Sequence, residues 1–124
     1  MHIERLKWEH LRNLHVQPRH FEAWDWLVSR EEYKEWAETS DSWSLLDKGA
    51  PLACAGVYDH MAWAFIGENI GSAGLYKATK FIKKLLASYD YVYADSDTSF
   101  ENGERWLAML GFEPLGGGKW LRLN

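Results

Sequence analysis

The hydrophobic pattern of this chain changes period twice between Met61 and Asp95, and that change restricts the fold more than any other feature. Met61 to Ile66 is the longest apolar stretch, and Met61 to Gly67 reads as a strand. Leu75, Ala78, Ile82, Leu85 and Tyr89 then recur at spacings of 3, 4, 3 and 4. That spacing predicts an amphipathic helix, with Lys77, Lys80, Lys83 and Lys84 on its solvent side. Tyr91-Val92-Tyr93-Ala94 follows at once as a β-rich run. Strand, helix and strand in this order form a βαβ unit, with parallel strands and a right-handed crossover.

The flanking segments fix what surrounds this unit. Met1 to Lys7 reads as a first strand. Helical spacing follows at Trp8, Leu11 and Leu14–His15, then at Phe21, Trp24, Leu27 and Val28 after Pro18. Tyr33, Trp36 and Ala37 suggest a third short helix ending near Thr39-Ser40. Ser42 to Asp47, Leu52 to Tyr58 and Met61 to Gly67 are strands joined by Lys48-Gly49-Ala50-Pro51 and Asp59-His60. These connections are too short for crossovers, so the three strands are antiparallel. A last helix runs from about Asn102 to Leu110 and stops at Gly111. Phe112 to Leu115 and Lys119 to Leu123 then form a hairpin around Gly116-Gly117-Gly118. The expected fold is α/β (α+β): one domain over residues 1–124, with a mostly antiparallel mixed sheet, flanking helices and one central βαβ unit.

Composition narrows the partners. The 124 residues are 47% hydrophobic, include eight Trp and carry a formal net charge of −4, with no basic stripe. A nucleic-acid ligand is therefore not expected. Cys54 is the only cysteine, which rules out an intrachain disulfide and a Cys-based zinc site. Its small apolar surroundings point to a buried structural thiol. His10, His15 and His20 repeat every five residues, whereas metal pairs on a helix need three or four, so no metal site is expected. The start of the chain lacks a signal-peptide pattern and no apolar run could span a membrane, so a cytoplasmic protein is expected.

The segment Glu68-Asn69-Ile70-Gly71-Ser72-Ala73-Gly74 joins the βαβ strand to its helix. Small residues there allow close backbone approach, and the first-turn amides offer an anion site. An ordinary glycine-rich loop has the same appearance. The segment resembles the acyl-CoA signature of the GNAT N-acyltransferases, Gln/Arg-x-x-Gly-x-Gly/Ala, with Gly71 and Ala73 in the small positions and Glu68 in place of Gln/Arg. Arg105-Trp106-Leu107-Ala108-Met109-Leu110-Gly111-Phe112 is similar to that family's last helix running into its Leu-Gly-Phe ending. The family's general-acid Tyr is matched by Leu107. Its helix-opening Asn is matched by Phe100, with Asn102 close by. Within the family, Pro51-Leu52-Ala53, the basic helix, Tyr89-Asp90 and the Leu107…Gly111 helix end resemble small GNAT-like proteins of short-tailed phages.

The resemblance implies acetyl-CoA as co-substrate and no metal. It places CoA at Gly71, Ser72, Ala73 and Gly74, and a carbonyl-polarising amide within Phe65, Ile66 and Gly67. Glu68 and His60, with Asp59 beside it, are the nearest candidate bases. Tyr93 or Tyr91 could replace the missing acid. For each of these residues a turn or packing role is the competing reading. The Trp-rich N-terminal helices lie on the expected acceptor side. Trp24 and Trp26 cannot share a helix face, and Trp26 is expected to be exposed. Two functions follow. One is an N-acetyltransferase acting on an amine, including one on a host protein. The other is a GNAT-like phage protein without catalysis, acting in virion assembly or host-protein interaction. An open strand edge and an exposed Trp also allow a homodimer.

Overall fold

The computed structural model describes residues 1–95 and 101–124, with Glu101 and Asn102 described by backbone alone. The expected position of Phe100 therefore lies outside the described residues, as does the side chain of Asn102. The strands are β1 (His2–Arg5), β2 (Asp41–Asp47), β3 (Ala50–Tyr58), β4 (Met61–Ile66), β5 (Tyr91–Asp95), β6 (Glu113–Gly116) and β7 (Lys119–Leu123). The helices are α1 (Trp8–Arg12), α2 (Phe21–Val28), α3 (Lys34–Thr39), α4 (Gly71–Leu86) and α5 (Glu101–Met109). The described strands form one seven-stranded sheet in the order β1-β2-β3-β4-β5-β7-β6. Every pair is antiparallel except β4–β5.

Alternation along the strands divides the core between the two faces. On one face, Cys54 and Phe65 pack with Leu11, Leu14, Leu27 and Ala37 from the N-terminal helices and their connections. On the other, Val57, Val92, Ala94 and Trp120 pack with Ile82 and Leu86 of α4 and with Leu110 and Phe112. The β3–β4 hairpin turns on Asp59 and His60 at φ of 49° and 63°. This doubly left-handed pair is the two-residue turn whose twist matches the flanking strands.

One detail of α4 differs from the sequence reading. The helical spacing puts Leu75 in the apolar stripe, yet Leu75 is 39% exposed. The buried line runs instead through Gly74, Ala78, Ile82 and Leu86. Gly74 explains the shift, because a Cβ there would come within 2.8 Å of Ile70 Cγ1 and near Met1 and Leu52. The helix lies on the sheet through a glycine that a search for apolar residues passes over.

Gly56 has the same role inside the sheet. A Cβ at this position would meet the Ser42 Cβ at 2.7 Å and the Asp41 carbonyl at 3.0 Å. Gly56→Ala must push β2 from β3, and urea unfolding is expected to show a loss of about 1–3 kcal/mol. An unchanged midpoint would show that β2 adjusts freely.

Candidate functional site

The site begins with the unequal edges of β4. One edge pairs with β3 along its whole length, from Tyr58↔Met61 to Ala53↔Ile66. The other meets β5 at a single register pair, Met61↔Tyr93, where the Tyr93 N–H donates to the His60 carbonyl at 2.7 Å. At its far end the chain's own N-terminal segment takes over. Val16 bridges Gly67, the Gln17 N–H donates to the Ile66 carbonyl at 2.9 Å, and the Ile66 N–H donates to His20 Nδ1 at 3.1 Å. Strand alternation puts the Ala64 N–H and C=O on this same edge, between the two anchors.

β4 and β5 therefore part like a wedge, and a cavity of about 460 Å³ fills the opening. Ala62, Ala64 and Ala94 line it from the strands, Ile82 and Leu86 from α4, and Trp106 and Leu107 from α5. Arg19, His20, Trp63 and Phe65 line it from the side of the N-terminal helices. The alanines leave the space open where larger residues would close it. The lining is mostly apolar, with Arg19, His20 and Asp95 as its charged or titratable members among the described residues.

The expected cofactor turn lies beside α4. Gly71 has φ +67°, and a Cβ added to it would find no atom within 4 Å, so its glycine is needed for conformation and for open space. Gly71, Ser72 and Ala73 are exposed, and the amides of a helix's first turn have no acceptor within the helix itself. They form the first turn of a sixteen-residue helix, where anions bind. Gly74 differs, being buried in the packing described above.

Three expected carbonyl-polarising amides are already used. Ile66 donates to His20, Gly67 donates to the Leu52 carbonyl at 2.8 Å, and alternation turns Phe65 toward β3. The amide left facing the wedge is that of Ala64. The candidate acids and bases do not converge either. Glu68 is exposed beyond the end of β4, with its N–H on the His15 carbonyl at 2.8 Å. His60 lies at the opposite end, its Nδ1 2.9 Å from the Tyr91 carbonyl and its ring stacked on Tyr91 at 4.0 Å. Tyr93 joins this cluster, ring to ring with Tyr91 at 5.8 Å. β4 separates Glu68 from His60 by roughly 20 Å at ~3.3 Å per residue. None of the three lines the cavity.

The residues that do reach it, Arg19, His20 and Trp63, carry no local motif. They are brought together by the fold. Burial, helped by Arg19, lowers the His20 pKa to about 4, which keeps its ring neutral and its Nδ1 free to accept. The Arg19 Nε and Trp63 Nε1 are buried without a hydrogen-bond partner. Cys54 is buried, and burial raises its thiol to about 12, so it is no nucleophile. Trp26 is 50% exposed, as expected, while Trp24 donates to the Leu11 carbonyl at 2.8 Å. No helix among the described residues is long and apolar enough to cross a membrane.

Solved structures share this architecture over nearly the whole chain. An aminoglycoside 6'-acetyltransferase of type Ii superposes with a TM-score of 0.67 at 13% identity, covering 99% of this chain and 97% of that one. A chimera built on the Vibrio cholerae spermidine N-acetyltransferase gives 0.67 at 14% identity, covering 99% and 96%. A Bacillus subtilis N-acetyltransferase in complex with coenzyme A gives 0.61 at 9% identity, covering 99% and 96%. The chain has the GNAT fold. No protein-family model and no curated protein matches the sequence. The GNAT fold thus rests on the architecture.

The His20 contact gives this wedge a pH dependence. The folded pKa lies below the unfolded value, so the contribution to stability is full above about pH 6.5 and is lost as pH falls toward about 4. His20→Asn keeps an acceptor for the Ile66 amide but removes the titration. Its melting temperature is expected to fall less than that of the wild type between pH 6.5 and 4. Parallel curves would show that His20 does not carry this dependence.

Proposed function

We propose that the chain is a GNAT-type N-acetyltransferase that moves an acetyl group from acetyl-CoA to an amine. The observation that carries this reading is the wedge, an apolar passage between β4 and β5, in a domain whose α4 also presents an exposed N-terminus. The donor set fits the co-substrate: the amides of Gly71, Ser72 and Ala73 suit a pyrophosphate, and the narrow apolar wedge suits an acyl-bearing chain. In the reaction the amine nitrogen attacks the thioester carbonyl. The C–N bond forms, the C–S bond breaks, and the proton lost by nitrogen ends on the thiol of CoA.

The protein's part is positional and electrostatic. The Ala64 N–H is the donor left to meet charge on the carbonyl oxygen. The apolar walls favour a neutral, nucleophilic amine by desolvation. Leu107 stands at the cavity wall where the family resemblance would put an acid. The departing thiolate thus takes its proton from the amine or from solvent.

The position of Leu107, and the distance of Glu68, His60 and Tyr93 from the wedge, favour a second reading. In it the chain is a GNAT-like protein of phage or prophage origin that keeps the fold and acts by binding a host or virion protein. Acetyl-CoA binding separates the two. A thermal-shift titration with acetyl-CoA, against ATP and dephospho-CoA, is expected to raise the melting temperature with concentration. Asn and Asp both tolerate the left-handed backbone at residue 71. Gly71→Asp is therefore compared with Gly71→Asn. The carboxylate is favourable to the helix dipole but repels a pyrophosphate, and it is expected to weaken acetyl-CoA by about tenfold relative to Asn with no loss of stability. Equal affinity of the two variants, or no shift at millimolar acetyl-CoA, would favour the binding protein.

A further inference from the structure

Among the described residues, the polar side chains that line the wedge include Arg19, His20, Trp63 and Asp95. Trp63 Nε1 and Arg19 Nε are buried at its lining without partners, and Arg19 has no carboxylate beside it among the described residues. His20 adds a third donor. Its Nδ1 accepts from the Ile66 amide, so the proton of the neutral ring is on Nε2. The one carboxylate among the described lining residues is Asp95, exposed and 3.4 Å from Lys119 Nζ. A polycationic amine needs carboxylates to receive its ammonium groups, and among the described lining residues only Asp95 supplies one, already beside Lys119, while Arg19 adds a guanidinium. Buried donors without acceptors are stable when a ligand supplies the oxygen.

We infer that the acceptor is an amine with a carbonyl or carboxylate next to the reacting nitrogen, the pattern of an amino acid or of a chain-terminal residue. Arg19, Trp63 and His20 hold that oxygen. This rests on the acetyltransferase reading. The oxygen anchors the substrate at the N-terminal-helix side of the sheet, and the amine enters the wedge toward Ala64. Trp36 and Phe65, with ring centroids 5.6 Å and 6.0 Å from that of Trp63, extend an aromatic wall around the anchor. An aromatic side chain is therefore the probe of choice.

The experiment measures CoA release from acetyl-CoA with L-phenylalanine, L-phenylalaninamide, 2-phenylethylamine and spermidine. Phenylethylamine keeps the ring and the amine but lacks the oxygen. The first two are expected to exceed it by about tenfold or more in kcat/KM, since a site built for an oxygen rejects the analogue lacking it. Arg19→Gln and Trp63→Phe are expected to erase that difference by lowering turnover of phenylalanine and phenylalaninamide toward that of phenylethylamine. Preference for the acid over the amide identifies a free amino acid, and the reverse identifies a chain terminus.

Turnover of phenylethylamine or spermidine as good as that of phenylalanine would overturn the inference and leave the transferase intact. Absence of CoA release with every amine would instead remove the transferase reading. The indole N–H resonance of Trp63, assigned by its loss in Trp63→Phe, then decides the inference alone. It is expected to move on titration with N-acetyl-L-phenylalaninamide or N-acetyl-L-phenylalanine and not with N-acetyl-2-phenylethylamine. Equal or absent shifts would overturn it.

Discussion

The wedge depends on the way the outer edge of β4 is divided. A strand with one edge fully paired to β3 would ordinarily seek a full-length partner on the other. Here β5 takes only the Met61 end, and residues 16–20 take the Ile66–Gly67 end. Neither neighbour reaches Ala64. The opening is maintained because each end is anchored by short hydrogen bonds, and because Ala62, Ala64 and Ala94 supply too little volume to fill it. Residues 16–20 thus have two roles, closing the edge of β4 and delivering Arg19 and His20 to the mouth of the opening.

The rest of the interior treats polar groups differently. Ser42 Oγ donates to the Ala37 carbonyl at 2.5 Å, and His10 Nδ1 lies 3.0 Å from Ser44 Oγ. Tyr89 donates to Asp41 at 2.5 Å, and Trp43 donates to the same carboxylate at 2.8 Å. These contacts tie β2 to α3, to α1 and to the segment after α4. Each is closed within the protein and asks nothing of a ligand. Of the buried side-chain donors without partners, Arg19 Nε and Trp63 Nε1 belong to residues that line the wedge, while Trp8 Nε1 belongs to a residue of the same N-terminal-face core that does not line it. A donor of a residue that lines a cavity can be met by a ligand, which the Trp8 donor in the closed core cannot.

The fold was legible in the sequence because it is written in local patterns. The change of period between Met61 and Asp95, the two-residue turn at Asp59-His60 and the stop at Gly111 each need only neighbouring residues to be read. The small-residue turn was legible for the same reason, and Gly71 adopts the left-handed backbone that only such a residue takes easily. The wedge chemistry was not legible. Arg19 and Trp63 are 44 positions apart by their numbers and meet only after residues 16–20 fold against β4. Glu68 and His60 looked close to the site because both lie beside β4 in sequence. A strand, however, separates its ends by its full length, and neither Glu68 nor His60 is among the residues that line the wedge.

That separation bears on how the wedge could act on an amine. Acyl transfer from a thioester is helped less by a strong base than by an amine that arrives uncharged and an oxygen that is met as it gains charge. In the proposed reaction the apolar walls would supply the first condition and the Ala64 amide the second. What remains is to hold the amine at one distance from the thioester. An acceptor fixed only by its ammonium group could not be held by donors, and the guanidinium of Arg19 would repel it. One fixed by an adjacent oxygen can be held by Arg19, Trp63 and His20 while its nitrogen stays free. The guanidinium also lowers the basicity of a nearby amine, which raises the neutral fraction the apolar walls already favour. In the proposed reaction a mouth of donors would serve positioning and deprotonation together, without the carboxylate or histidine base that the sequence leads one to look for.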